Sequence, residues 1–362
     1  STHFRKNLPE VVTLPQHFKA HGYHTEAIGK IFHDPPKFRD PPSWSIPAQL
    51  DDTEGVRGKY AAPENLRIYQ PEGRAGREKA AAAESADVPD EAYIDGRVAG
   101  LAVNRLRELA ATKQPFFLAV GFRRPHLPFS APKRFWDLYD RATLREVPQP
   151  APPRGAPDVA LHDSSELRGY TDMPKVGPLT SAQIAELRHG YYASTSFSDA
   201  QIGRVLQALR DTGAEASTIV VVWSDHGYHL GEHGLWSKTT NYELDTRVPL
   251  IIARPGAPNA GSASSALVEL LDLYPTLADL CGLPSPTGVE GSSLRPWLEQ
   301  PARASRPAAF SQFPRPWPSG GAPAVMGYAV RTPTHRYIEW RRFGTSDVVA
   351  RELYAYQGES LF

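Results

Sequence analysis

Asp225 and His226 close the apolar run Thr218-Ile219-Val220-Val221-Val222-Trp223-Ser224, and Lys238 ends the nearby stretch Gly231-Glu232-His233-Gly234-Leu235-Trp236-Ser237-Lys238. A short β-branched run bounded by turn residues predicts a buried strand, and parallel sheets present their chemistry at strand C-terminal ends. A carboxylate there is a hard oxygen ligand for Ca²⁺ or Mg²⁺, and a bound cation polarises an ester oxygen. Two further strand ends carry related chemistry: Gly29-Lys30-Ile31-Phe32-His33 follows a strand expected from Tyr23 to Gly29, and Arg124-Pro125-His126-Leu127-Pro128 follows one expected from Pro115 to Phe122. Lysines offset negative charge on a sulfuryl or phosphoryl group, and a histidine can protonate a leaving alkoxide. The pattern therefore predicts that Lys30, His33, His126, Asp225, His226 and Lys238 line one anion-accepting cavity, provided their strands share a sheet.

Each residue has a plainer reading. A single histidine after a strand is more often packed or capping than functional, so the weight rests on the three strand ends together with Lys238. His229 and His233 are four positions apart and invite a zinc reading, but Gly227, Gly231 and Gly234 disfavour the regular helix that reading needs. Loop-ordering parts suit those two histidines better. Cys281 is the only cysteine, and its apolar helical surroundings suggest a structural thiol.

The elements that must position these groups alternate between strand and helix. Thr13 is placed to cap a short helix that carries Pro15 in its first turn and stops at Gly22. Helices are expected from about Asp90 to Ala111, with Val98, Leu101, Ala102, Leu106 and Leu109 at helical spacing, and from about Ser181 to Leu209. A strand from Val248 to Ala253 and a helix from Leu267 to Leu280 follow. Residues 34–88 and 140–178 are rich in proline and polar groups and read as long connectors. This alternation implies an α/β fold with a mostly parallel central sheet flanked by helices. Beyond Trp297 the short candidate strands Met326 to Arg331, Arg336 to Trp340 and Glu352 to Tyr354 suggest a small antiparallel subdomain, giving domains of 1–298 and 299–362.

Composition limits the partners. Acidic and basic residues balance at 40 each, so no overall field argues for nucleic acid or an anionic membrane. No apolar stretch approaches the roughly 18 residues that a membrane helix needs, and no signal peptide opens the chain.

The motifs Ser224-Asp225-His226-Gly227, Gly231 to Lys238, Gly29 to His33 and Arg124 to Pro128 together resemble those of the type I sulfatases, in the alkaline phosphatase superfamily, and within them the iduronate-2-sulfatase branch. Asp272-Leu273-Tyr274-Pro275-Thr276-Leu277 and Ser311-Gln312-Phe313-Pro314-Arg315-Pro316 extend the likeness over nearly the whole chain. The resemblance implies hydrolysis of sulfate esters of sulfated carbohydrates. It implies that Asp225 and His226 ligate one Ca²⁺, that Lys30 and Lys238 contact the sulfate or the nucleophile's oxygen with His33 beside it, and that His126 binds sulfate or assists the leaving group. It also implies a periplasmic, secreted or lysosomal setting.

One departure from the family is visible. The formylglycine nucleophile comes from a Cys-x-Pro-Ser-Arg motif, which the sequence lacks, and an Asp-Asp pair near the family's N-terminus supplies further metal ligands; both normally precede the region where this sequence begins. Cys281, in Cys-Gly-Leu-Pro-Ser, and Ser130, in Ser-Ala-Pro-Lys-Arg, are poor substitutes. The expectation is that the formylglycine belongs to an N-terminal segment preceding Ser1, so that residues 1–362 alone show no turnover. A phosphodiesterase or phosphonate hydrolase, and a non-catalytic glycan-binding remnant, are the alternatives.

Overall fold

A computed structural model describes residues 4–32, 39–50, 58–69, 79–316 and 323–356. The chain divides into two compact units, one drawn from Thr2–Glu146 and Ser165–Ala216, the other from Val147–Ser164 and Ser217–Phe362.

In the first unit, helices α1 (Phe4–Asn7) and α2 (Leu14–Ala20) precede strand β1 (His24–Gly29). Thr13 caps α2 as its sequence predicts, its hydroxyl accepting from the Gln16 amide. Then come α3 (Pro63–Tyr69), β2 (Ala83–Ala86), α4 (Ile94–Ala110), β3 (Phe116–Gly121), β4 (Phe129–Pro132), α5 (Lys133–Trp136), α6 (Ser165–Arg168) and α7 (Ser181–Asp211). β1 and β3 pair in parallel from His24–Phe116 to Gly29–Gly121, and β2 and β4 pair in parallel from Ala83–Phe129 to Ala86–Pro132. Apolar positions of α4 meet the first pair: Ile94, Val98 and Ala102 are buried with Ile28, and Leu118 and Val120 pack on them. α7 opens on a capping box between Thr180 and Gln183, and its Ala193 and Phe197 join Tyr93, Phe135 and Trp136 in a second core.

The second unit holds β5 (Val220–Trp223), β6 (His229–Leu230), β7 (Trp236–Ser237), α8 (Glu243–Thr246), β8 (Leu250–Ala253), α9 (Leu273–Leu280) and α10 (Arg295–Glu299), then β9 (Ala309–Arg315), β10 (Val325–Arg331), β11 (His335–Arg342) and β12 (Val348–Ala355). The last four form one antiparallel sheet in the order β12-β11-β10-β9. Its inner face contributes Ala329, Ile338 and Trp340 to a core shared with Leu235 and Tyr242.

The sequence shows the fold class, mixed α/β with parallel pairs and a C-terminal antiparallel sheet, but not every element. α3 and β2 lie inside the stretch expected to be a connector. β2 reads Ala-Glu-Ser-Ala and has no β-branched residue. It is fixed instead by Glu84, buried, whose carboxylate accepts from the Ala61 amide, the Asn65 side chain and the Tyr93 hydroxyl. β5, the strand leading to Asp225, pairs antiparallel with β8, whereas the parallel pairs are β1–β3 and β2–β4.

Candidate functional site

Lys30 leaves the end of β1 at a point of close backbone approach. Gly29 sits at φ +80°, and a Cβ there would come within 2.1 Å of the Gly121 carbonyl oxygen. Gly121, at the end of β3, faces the Lys30 carbonyl equally tightly, and the Lys30 amide donates to the Gly121 carbonyl at 2.9 Å. Side chains larger than hydrogen would push the two strand ends apart, so glycine at both places sets where Lys30 emerges. His33 lies outside the described residues.

His126 belongs to the same unit, in the loop between β3 and β4. The loop is organised by Arg124, which is 4% exposed. Its guanidinium donates to the carbonyls of Ser130 at 2.8 Å, Lys59 at 3.1 Å and His126 at 3.3 Å. Asp95, in the first turn of α4, accepts the amides of Arg123 and Arg124 at 2.8 and 2.9 Å, and Ser198 of α7 donates to the Arg124 carbonyl at 2.7 Å. Burial pushes the Arg124 guanidinium below its usual range, and the negative charge of Asp95 works in the opposite direction. His126 is thus carried on a loop pinned to α4, α7 and β4. Its Nδ1 donates to the Leu127 carbonyl at 2.7 Å, since a carbonyl oxygen only accepts.

The second unit places Asp225, His226 and Lys238 around one turn and one hairpin. Asp225 and His226 follow β5, and Lys238 follows β7, the partner of β6. The His226 Nδ1 donates to the Gly227 carbonyl at 2.8 Å, so in the neutral form of the ring the lone pair stands on Nε2. That Nε2 is 3.7 Å from Oδ2 of Asp225. An anionic oxygen and a neutral imidazole nitrogen at this separation can ligate one cation side by side. Among the described residues no group of three or more His, Cys, Asp or Glu is arranged to hold a metal, so the pair by itself does not make a metal site.

The turn is fastened by Asp245 of α8. This buried carboxylate accepts from Nδ1 of His229, from the amide of Thr240 and from the Thr240 hydroxyl, each at 2.7 Å. The Asp245 carbonyl takes the Gly227 amide at 2.8 Å, and the Leu244 carbonyl takes that of Tyr228 at 2.8 Å. A Cβ on Gly227 would stand 1.8 Å from the Leu244 carbonyl oxygen, so only glycine fits between the Asp225-His226 turn and α8. His229 and His233 are buried and meet the Tyr242 ring edge-on. His233 has φ 57°, off any regular helix, and both histidines order the loop. Behind β7, the Trp236 amide donates to the Ser164 hydroxyl at 3.0 Å, and the Ser164 amide donates to Nδ1 of His162 at 3.0 Å.

Asp95, Glu166, Ser198 and Asp245 do not stand out in the sequence. Each lies in a different motif or in none, and partners such as Arg124 for Asp95 and Ser198, or His229 for Asp245, are distant along the chain. Asp95 alone carries a local signal, an acid in the first turn of a helix. The two residues weighed as stand-in nucleophiles are badly placed for attack: Ser130 is fully buried in β4, and Cys281 is half-buried at the C-cap of α9.

Comparisons with known proteins agree with the motifs. The sulfatase family profile matches residues 2–283, and that of the N-sulphoglucosamine sulphohydrolase C-terminal region matches residues 231–358. The chain is 33% identical to iduronate 2-sulfatase of Mus musculus over 426 aligned positions, covering all of this chain and 76% of that protein. It is 30% identical to a sulfatase of Formosa agariphila, covering 91% of this chain and 62% of that one. Among solved structures, the phosphonate monoester hydrolase of Silicibacter pomeroyi superposes with a TM-score of 0.72 at 24% identity, over 97% of this chain and 74% of its own. A protein solved with its substrate D-glucosamine-2-N,6-O-disulfate gives 0.67 at 23%, over 96% and 75%. These likenesses establish the fold, while the sequence relatives separate sulfate from phosphonate chemistry and do not favour the phosphonate hydrolase alternative. The chain belongs to the sulfatase family, and its reaction is the hydrolysis of sulfuric esters.

Proposed function

We propose that the ester is carried by a sulfated carbohydrate, and that Lys30, His126, Asp225, His226 and Lys238, with His33, divide the work on it. Asp225 and His226 would contribute to holding one Ca²⁺, which when bound supplies positive charge against sulfate oxygen. Lys30 and Lys238 offset the remaining sulfate charge and orient the group. His126 gives a proton to the departing alcohol oxygen. Neither Cys281 nor Ser130 is assigned the nucleophile's part, and the formylglycine that the family uses is not placed on a residue of this chain.

The observation that carries this reading is the donor pair at the end of β5, where the His226 ring is locked by the Gly227 carbonyl with Nε2 beside the Asp225 carboxylate. The carbohydrate as substrate class is supported by the 33% identity to iduronate 2-sulfatase across the whole chain. The family resemblance further supports a periplasmic, secreted or lysosomal setting. No helix among the described residues is long and apolar enough to cross a membrane.

The test is a calcium titration together with hydrolysis of sulfated and phosphonate esters by the formylglycine-bearing enzyme. One Ca²⁺ per chain and preference for the sulfate ester, both lost in Asp225→Ala, are expected. Two tightly bound Zn²⁺ ions with preference for the phosphonate would replace the proposal with the phosphoryl alternative. Sugar affinity without turnover would favour a binding remnant.

A further inference from the structure

Glu166 of α6 places Oε1 3.2 Å from Nε2 of His126. Because Nδ1 of His126 carries the hydrogen donated to the Leu127 carbonyl, Nε2 is the nitrogen at which a proton comes and goes. The carboxylate therefore faces the one atom through which His126 could do acid chemistry. Both side chains keep contact with solvent, at 21% and 29% exposure, so a spent proton can be replaced from water.

Glu166 is itself held in place. Its main-chain carbonyl accepts from Nζ of Lys79 at 2.7 Å, and that ammonium lies 4.8 Å from the centroid of the Tyr170 ring, just beyond α6. Among the described residues, Arg123 and Arg124 on the His126 loop share the electrostatic surroundings of Tyr170 with Glu166. Arg124 donates to three carbonyls, and a guanidinium accepts nothing. It fixes the loop and cannot accept from Nε2.

We propose that Glu166 is a positioning residue for His126, orienting the ring and holding the Nε2 proton until the alcohol departs. The proposal rests on His126 being the group that protonates the leaving alcohol. As sulfur bonds to the nucleophile's oxygen and its S–O bond to that alcohol breaks, the electron pair of the broken bond stays on the alcohol oxygen, which takes the proton from Nε2. The nitrogen is left with a lone pair, and a proton from water restores it beside the carboxylate.

Two esters with different needs test this in the formylglycine-bearing enzyme. Nitrophenolate leaves without a proton, whereas a sugar alcohol does not. Glu166→Gln is expected to lower kcat on glucosamine 6-sulfate by about tenfold or more while changing 4-nitrophenyl sulfate turnover by less than about threefold, with KM little altered for either. In a His126→Ala background the same substitution should add nothing. Equal losses on both esters, or a change confined to KM, would overturn the proposal. Ring-¹⁵N spectra of His126 read the pairing without turnover: the Nε2 resonance should move in Glu166→Gln while Nδ1 stays protonated, and an unmoved resonance would sink it. If the wild-type enzyme cleaves neither ester, the sulfatase reading fails by itself, and the spectra still decide the role of Glu166.

Discussion

Around the His126 loop a buried cation gathers carbonyls, whereas behind the Asp225 turn a buried anion gathers donors. Arg124 takes three backbone oxygens, and Asp245 takes two N–H groups and a hydroxyl. In both places the side chain that fixes the backbone is not the one offered for chemistry. The two regions differ in how far the offered residues are themselves enclosed. His126 is flanked by Glu166 and its own loop, while the Asp225 side chain is 68% exposed. A general acid gains from a fixed orientation. A metal ligand that completes its shell only with the ion can wait in solvent.

Substitutions at the two anchors should separate these designs. Arg124→Ala is expected to have the largest effect, about 4 kcal/mol of lost stability, because it leaves three carbonyls without their donor and removes the positive charge near the buried Asp95 carboxylate. Chemical denaturation would measure it, and a loss under about 1 kcal/mol would show that the loop is held by other means.

Acid should come next, and should act on the second unit. Burial pushes the imidazoles of His162 and His233 down to about 4, and the positive charge of Arg315 adds to the shift of His162. A folded-state value below the usual 6.5 means that the stabilisation is whole above pH 6.5 and is lost as pH falls from there toward 4. For His162 the loss reaches at most about 3 kcal/mol. Thermal unfolding between pH 7 and 4.5 should show Tm falling, with a shallower slope in His162→Gln. An unchanged slope would mean that His162 is not held neutral by its surroundings.

Asp245→Asn should cost about 2 kcal/mol, since an amide cannot accept all three bonds. Faster hydrogen exchange at the Thr240 and Gly227 amides should accompany it, and exchange that stays slow at both would contradict the anchoring role. Asp225→Ala should be the mildest of the four without metal, within about 0.5 kcal/mol of wild type, because the side chain is exposed. It should nonetheless abolish the rise in Tm that saturating Ca²⁺ produces. A large loss of stability in the metal-free protein would mean that Asp225 is structural.

Much of the positioning framework was legible because it is written locally. The Thr13 cap, the α4 periodicity from Val98 to Leu109 and the β5 run before Asp225 depend on neighbours within a few residues. β2 and β9 were not legible as strands. Ala-Glu-Ser-Ala has no strand propensity and is held through the buried Glu84, and β9 carries polar residues and a proline inside a sheet whose inner face alone is buried.

The same divide runs through the site. The motifs, by their resemblance to the sulfatases, pointed to the family and to the chemistry offered by Lys30, His126, Asp225, His226 and Lys238, whereas the need for glycine at Gly29 and Gly227 came from the backbone approaches. Only the tertiary structure decided which ring nitrogen of His126 and of His226 is tied to a carbonyl, that Glu166 faces the other nitrogen of His126, and that Arg124 and Asp245 do the fastening. The reason is physical: a hydrogen bond or an ion pair is fixed by distance in space, and contacts such as Glu166 with His126 or Arg124 with Lys59 join residues that no local pattern connects.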